Sequence, residues 1–280
     1  SNGVFSDLPA VPRFGPYRFS TSVYVTETGL AYGYQLGDCV ESWRCVRLGV
    51  SLASDHLRLR GREDVLRDPP GNGPADFTAS AFAHALTTGD DDSLAANLGL
   101  IWEVTHTLKL ALTYRQGPRF DIKEDEFAAP NDAKLHLPDQ YVIGVAYQPT
   151  SSLTVSSELD RITYSNLVRN NRFSAFDLKD GTEVRVGAEY VLFVGDPIQP
   201  TRLALMAGYW LDPDHQISFT GHSADPTVDL FDRAFFPPVG TRRNHVTAGI
   251  GANFGRFQVD AGCDRATAIT VCSLSSVVRF

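Results

Sequence analysis

Thr201-Arg202-Leu203-Ala204-Leu205-Met206-Ala207-Gly208-Tyr209-Trp210-Leu211-Asp212 reads as two different surfaces, one on its odd and one on its even positions. Leu203, Leu205, Ala207, Tyr209 and Leu211 fall on one side. Arg202, Ala204, Met206, Gly208 and Trp210 fall on the other. Successive side chains of an extended chain point to opposite faces, so the alternation predicts a β-strand with one apolar face and one small or polar face.

The same scheme recurs upstream. In residues 140–148, Tyr141, Ile143, Val145 and Tyr147 oppose Gln140, Val142, Gly144, Ala146 and Gln148. In residues 183–192, Val184, Val186, Ala188, Tyr190 and Leu192 oppose Glu183, Arg185, Gly187, Glu189 and Val191. A soluble sandwich could hide one such face against a second layer, but strand after strand repeats the pattern and no intervening segment reads as a second core. The expected fold is all-β: an antiparallel transmembrane β-barrel with lipid outside and a polar lumen inside.

Composition is compatible with this. Hydrophobic residues make up 43% and charged residues 21% of the 280-residue chain, and no run approaches the eighteen or so apolar residues of a membrane-spanning helix. A helical membrane protein is therefore excluded, whereas a barrel needs an apolar residue only at every second position. The net charge of −8 argues against a nucleic-acid partner, which requires a basic surface. The local cluster Arg58, Arg60 and Arg62 reads as a solvated strand end.

Further strands are expected at 46–52, 96–104, 108–114, 153–159, 246–254, 257–263 and 272–280. Residues 17–36 are one strand or a hairpin. Their apolar positions are odd through Val25 and even from Leu30, so a bulge or turn is expected near Glu27. The count is about eleven strands with one segment there and about twelve with two. Tight turns at 105–107, 149–151 and 255–256, and a looser one at 195–200, alternate with long polar connections at 61–93, 116–137, 165–181 and 213–243. Short periplasmic turns and long external loops produce this order in outer-membrane barrels.

The four cysteines form two close pairs, Cys39 with Cys45 and Cys263 with Cys272, neither with the spacing of a zinc or redox motif. Disulfides across turns, in an oxidising compartment, are the expectation. The chain ends at Phe280, on the same face as Cys272, Leu274, Ser276 and Val278. A terminal aromatic on the lipid face is what such barrels present to the barrel-assembly machinery, which is therefore an expected partner alongside outer-membrane lipids.

Several segments resemble, in order, the strands of the long-chain fatty acid transporter (FadL) family. They are Arg47-Leu48-Gly49-Val50-Ser51-Leu52, Asn97-Leu98-Gly99-Leu100-Ile101-Trp102-Glu103, Leu110-Ala111-Leu112-Thr113-Tyr114-Arg115, Leu137-Pro138-Asp139-Gln140-Tyr141, Val184-Arg185-Val186-Gly187-Ala188-Glu189-Tyr190 and Ala207-Gly208-Tyr209-Trp210. The resemblance implies a bacterial outer-membrane location and passive, gradient-driven uptake of long-chain fatty acids or other hydrophobic small molecules. It also implies a fourteen-stranded barrel plugged by an N-terminal hatch with an "NPA" motif. This sequence lacks that motif, and its first match falls near the family's fourth strand. Residues 1–280 are accordingly expected to form one barrel domain that is N-terminally incomplete, a smaller unplugged barrel being the competing reading, with the family's gate and lateral exit outside the matched segments.

Inner-face positions supply the candidate ligand contacts. Arg47, Arg115 and Arg185 could receive a carboxylate, Val142, Met206 and Trp210 an acyl chain, and Lys109 is a further lumen candidate on the same face. Glu158, Asp160, Glu183 and Glu189 share the lumen, and the competing reading is a network of acids and bases that braces the barrel. A diffusion porin and an outer-membrane lipid hydrolase are the alternatives to a hydrophobic-solute channel. Gly49-Val50-Ser51-Leu52-Ala53 superficially resembles a nucleophile elbow, but lies inside an alternating strand instead of a strand-to-helix turn, so no enzyme is expected. The histidines are scattered, and Gly89-Asp90-Asp91-Asp92 reads as a solvated loop instead of a Ca²⁺ site. No metal or cofactor is expected.

Overall fold

The computed structural model describes residues 2–4, 17–37, 45–66, 81–122, 133–168, 175–195, 201–222, 229, 233–234, 236–238, 240–267 and 269–279. Their strands are β1 (Asn2–Val4), β2 (Tyr17–Leu36), β3 (Cys45–Leu66), β4 (Ala81–Glu103), β5 (Leu108–Arg115), β6 (Arg119–Ile122), β7 (Ala133–His136) and β8 (Gln140–Tyr147). There follow β9 (Leu153–Ile162), β10 (Phe176–Asp177), β11 (Gly181–Val194), β12 (Thr201–Asp212), β13 (Ser218–Phe219), β14 (Arg243–Phe254), β15 (Phe257–Arg265) and β16 (Thr270–Val278).

Twelve of these form one sheet in the order β1-β2-β3-β4-β5-β8-β9-β11-β12-β14-β15-β16. Each long strand pairs antiparallel with the next long strand of the chain, the up-and-down meander of a transmembrane barrel. Tight turns join β4 to β5, β8 to β9 and β14 to β15 at one end. The small sheets β6–β7 and β10–β13 lie within the long connections at the other.

Alternation appears directly in exposure. Along β8, Tyr141, Ile143, Val145 and Tyr147 are exposed, while Gln140, Val142, Gly144 and Ala146 are half-buried. Along β11, Val184, Val186, Ala188 and Tyr190 are exposed, whereas Glu183 is buried and Arg185, Gly187 and Glu189 are half-buried. On the outer face, Tyr114 and Tyr141 meet at 5.0 Å near one end of the wall, and Phe254 and Phe257 at 6.1 Å beside the turn at the other. Aromatic pairs at both ends match the girdles that flank the apolar band of such barrels.

The sequence reading needs correction in β2 to β4. Residues 61–93 are not one long polar loop: β3 continues to Leu66 and β4 begins at Ala81, so Gly89-Asp90-Asp91-Asp92 is strand and not loop. Nor is there a bulge or turn near Glu27. β2 pairs with β3 in unbroken register from Tyr17↔Val65 to Leu36↔Val46. At ~3.3 Å per residue the 22 residues of β3 extend ~70 Å, well beyond a ~30 Å hydrocarbon core, so much of each strand stands outside the membrane.

This accounts for the change of phase. Outward side chains of β3 are Leu48, Val50 and Leu52, then Ser54, His56, Arg58, Arg60 and Arg62; those of β2 are Tyr34, Tyr32 and Leu30, then Thr28 and Thr26. The apolar run ends within one row, with Leu30 opposite Leu52, Leu52 opposite Ala96, and Leu94 of β4 one row beyond, opposite Ser54. Beyond that level the inward face carries Asp55, Ser93 and Asp91 and, between and above them, the apolar Leu57 and Leu59. Leu57 is fully buried against Phe120 and Ile122, and Leu59, Leu135 and Leu137 pack around them. The β6–β7 hairpin thus folds over the inner face of β3, held also by the Asp121 amide donating to Asp91 Oδ2 at 2.6 Å and the Arg119 amide to Ser93 Oγ at 2.9 Å. At its base, burial and the neighbouring Arg119 guanidinium hold the His136 imidazole below its ordinary pKa, against the pull of Asp139.

Cys263 and Cys272 are disulfide-bonded across the β15–β16 ladder, and Cys45 is also disulfide-bonded. Cys39 and Phe280 lie outside the described residues.

Candidate functional site

The lumen face is assembled by register. Glu158 of β9 stands opposite Arg185 of β11, Arg185 opposite Trp210 of β12, and Trp210 opposite His245 of β14. Odd positions of β11 and even positions of β12 share one face because adjacent strands in register point their partners the same way. Arg185 Nη1 lies 2.8 Å from Glu158 Oε1 and 3.0 Å from Asp160 Oδ2, and the guanidinium also binds Glu183. Gln140 donates to Asp160 at 3.2 Å. On its other side the Arg185 guanidinium sits 5.6 Å above the Trp210 ring, which stacks on His245 at 3.8 Å. Trp210 Nε1 donates to Asp264 at 3.3 Å, and His245 Nδ1 lies 3.0 Å from the same carboxylate. A polar belt therefore crosses the lumen face from β8 to β15.

Beside this belt the wall is small. The next rows contain Ala146, Ser156, Gly187, Gly208 and Thr247, then Met206, Gly249, Gly262 and Ser273. Missing side chains leave a cavity of about 1080 Å³ on this face. Of the expected ligand contacts, Lys109, Glu158, Arg185, Glu189, Met206 and Trp210 line it. Arg47, Arg115, Val142 and Glu183 do not, although all four stand on the lumen side of their strands.

The cations are mostly engaged. Arg47 Nη1 lies 2.9 Å and Lys109 Nζ 3.4 Å from the same Glu103 carboxylate. Arg185 has three carboxylates around one guanidinium, two of them buried, Asp160 at 1% and Glu183 at 5% exposure. Arg115 is exposed at the end of β5 nearer the β6–β7 hairpin. Burying carboxylates without a partner is costly, which explains why the buried Asp160 and Glu183 both close on the Arg185 guanidinium. Ser51, centre of the elbow-like stretch, lies inside β3 and accepts a 3.0 Å hydrogen bond from Asn97 Nδ2; no histidine contacts it among the described residues.

His245, Asp260 and Asp264 were not among the expected site residues. The signal was present: Val246, Ala248 and Ile250 alternate as outward residues of β14, which places His245 inside, and the same parity turns Asp260 and Asp264 of β15 inward.

Comparison with known proteins bears on the fold. No protein-family profile matches the chain, and no curated protein matches it in sequence. Among solved structures it is similar to the CymD monoaromatic hydrocarbon channel, with 12% identity over 100% of this chain and 78% of that one, at a TM-score of 0.54. It also aligns with a Pseudomonas aeruginosa FadL homologue, with 16% identity over 89% of this chain and 66% of that one, at a TM-score of 0.44. A third alignment, with the TodX deltaS2S3 mutant monoaromatic hydrocarbon channel, has 14% identity, covers 93% of this chain and 78% of that one, and has a TM-score of 0.37. The first of these supports the fold, an antiparallel β-barrel wall, which the strand order of the described residues shows directly.

Proposed function

We propose that the chain forms an outer-membrane passage for hydrophobic small molecules, driven by their own concentration gradient, and that it favours uncharged molecules over fatty carboxylates. The observation that carries this reading is the state of Arg185. Its guanidinium faces the cavity but already meets Glu158, Asp160 and Glu183, leaving two formal negative charges in excess around it (three carboxylates against one guanidinium). An incoming carboxylate would meet that excess in a partly desolvated lumen, where like charges repel strongly. An uncharged solute meets glycine, alanine and the apolar surfaces of Met206 and Trp210 instead.

A diffusion porin would use a charged constriction to pass ions and sugars. Here the charged groups of the belt are tied to one another and to Gln140 and Trp210 across six strands. Uptake into cells with an intact outer leaflet tests the reading. Cells carrying the chain should accumulate a labelled alkylbenzene about tenfold faster than cells without it, and an ω-phenyl carboxylate of similar size much less so. Equal acceleration of both would remove the charge argument, and rapid uptake of a hexose would favour the porin.

A further inference from the structure

We propose that the outward face of β2–β5 is a binding site for a phosphate-bearing lipid of the outer leaflet, with phosphate on Arg58 and Arg60 and an acyl chain in a groove of the barrel wall. The groove is separate from the lumen cavity. It has a volume of about 480 Å³ and is walled by Tyr32, Tyr34, Leu48, Val50, Leu98 and Leu112. All six are even-numbered positions on strands whose odd-numbered partners, Arg47, Gly49, Gly99 and Lys109 among them, turn to the lumen. The groove therefore opens towards hydrocarbon, where only a lipid chain is present to fill it.

The head end lies on the same strand and face. Above Leu52 the outward residues of β3 turn polar and then cationic, with Arg58 and Arg60 both exposed. Neither makes an ion pair or side-chain hydrogen bond among the described residues, although Asp90 stands opposite Arg58 in the ladder. The neighbouring Asp92 is occupied by His56 at 2.9 Å. In a chain of net charge −8, two unengaged guanidiniums two residues apart are a local reversal of sign, and guanidinium is the side chain best matched to phosphate oxygens.

Spacing joins the two halves. Val50 and Arg58 are eight residues apart, ~27 Å of strand, or ~20 Å of depth at a typical barrel tilt. Leu94, opposite Ser54, is the last apolar residue on this face before Arg58, so Arg58 stands ~10 Å of depth above the hydrocarbon, a distance spanned by a ~5–7 Å headgroup layer and the length of a guanidinium side chain. A lipid whose phosphate rests on Arg58 and Arg60 thus reaches the groove with its chain.

Native mass spectrometry of the purified chain in non-ionic detergent tests this, using diphosphorylated lipid A as probe and phosphatidylcholine of matched chain length as control. Lipid A should be retained at one equivalent, about tenfold above phosphatidylcholine, and excess inorganic phosphate should not displace it. The R58Q/R60Q pair should lower retention about tenfold, and L98W, which fills the groove, should lower it comparably. Both changes lie on the exposed outer face, and an unaltered heat-dependent gel shift verifies that each variant is folded. Equal retention by wild type and R58Q/R60Q, or no preference over phosphatidylcholine, would overturn the proposal. Displacement by inorganic phosphate, or full retention by L98W, would overturn the groove as its second half.

Discussion

The lower and upper parts of β3 have the same backbone conformation and opposite chemistry. Near its start Leu48, Val50 and Leu52 face out and Arg47, Gly49 and Ser51 face in; farther along, Arg58 and Arg60 face out while Leu57 and Leu59 face in. The ladder to β2 runs through both parts without a break in register. Alternation in this strand therefore records which side is wet at each level, and the change of phase marks the membrane surface and not a change in the chain's path. Below that surface the outside is oil; above it the outside is water, and the inside is occupied by the β6–β7 hairpin.

The contrast can be broken most severely by placing charge in the oil. L48R should destabilise the folded chain by ~2–4 kcal/mol in lipid, whereas S54R, six residues along the same face, should change stability by less than ~0.5 kcal/mol. Urea titration of the chain in vesicles distinguishes the two, and equal costs would erase the proposed boundary. A more local effect is expected above the surface. L57A should cost ~2–3 kcal/mol, confined largely to the docked hairpin, because it removes a fully buried side chain from the Phe120–Ile122 cluster. Hydrogen exchange should then accelerate in residues 119–122 and 133–136 while β8 and β12 remain protected; global unfolding would show instead that the hairpin is integral to the barrel.

The membrane part of the wall was legible because each side chain there answers to one of two solvents. The alternation of 201–212, 140–148 and 183–192 carries directly into exposed and half-buried positions of β12, β8 and β11. The extensions of β3 and β4 were not legible as strand. Asp90, Asp91 and Asp92 have the composition of a loop, and their strand state depends on pairing with a distant segment and on the hairpin that covers the inner face. The lumen face was half legible. Parity identified Arg185, Glu158 and Glu183 as neighbours in kind, but that three carboxylates converge on one guanidinium depends on strand stagger, which period-two reasoning does not contain. The expected strand at 246–254 leaves His245 out because β14 begins three residues earlier, at Arg243.

Spin labels placed singly at each position from 202 to 211, in the chain reconstituted in bilayers, give the most direct test. Collision with oxygen, which concentrates in hydrocarbon, should peak at 203, 205, 207, 209 and 211, and collision with a water-soluble nickel chelate at 202, 204, 206, 208 and 210. Two profiles in phase, or a repeat of three to four residues, would contradict a sheet with oil on one face and water on the other.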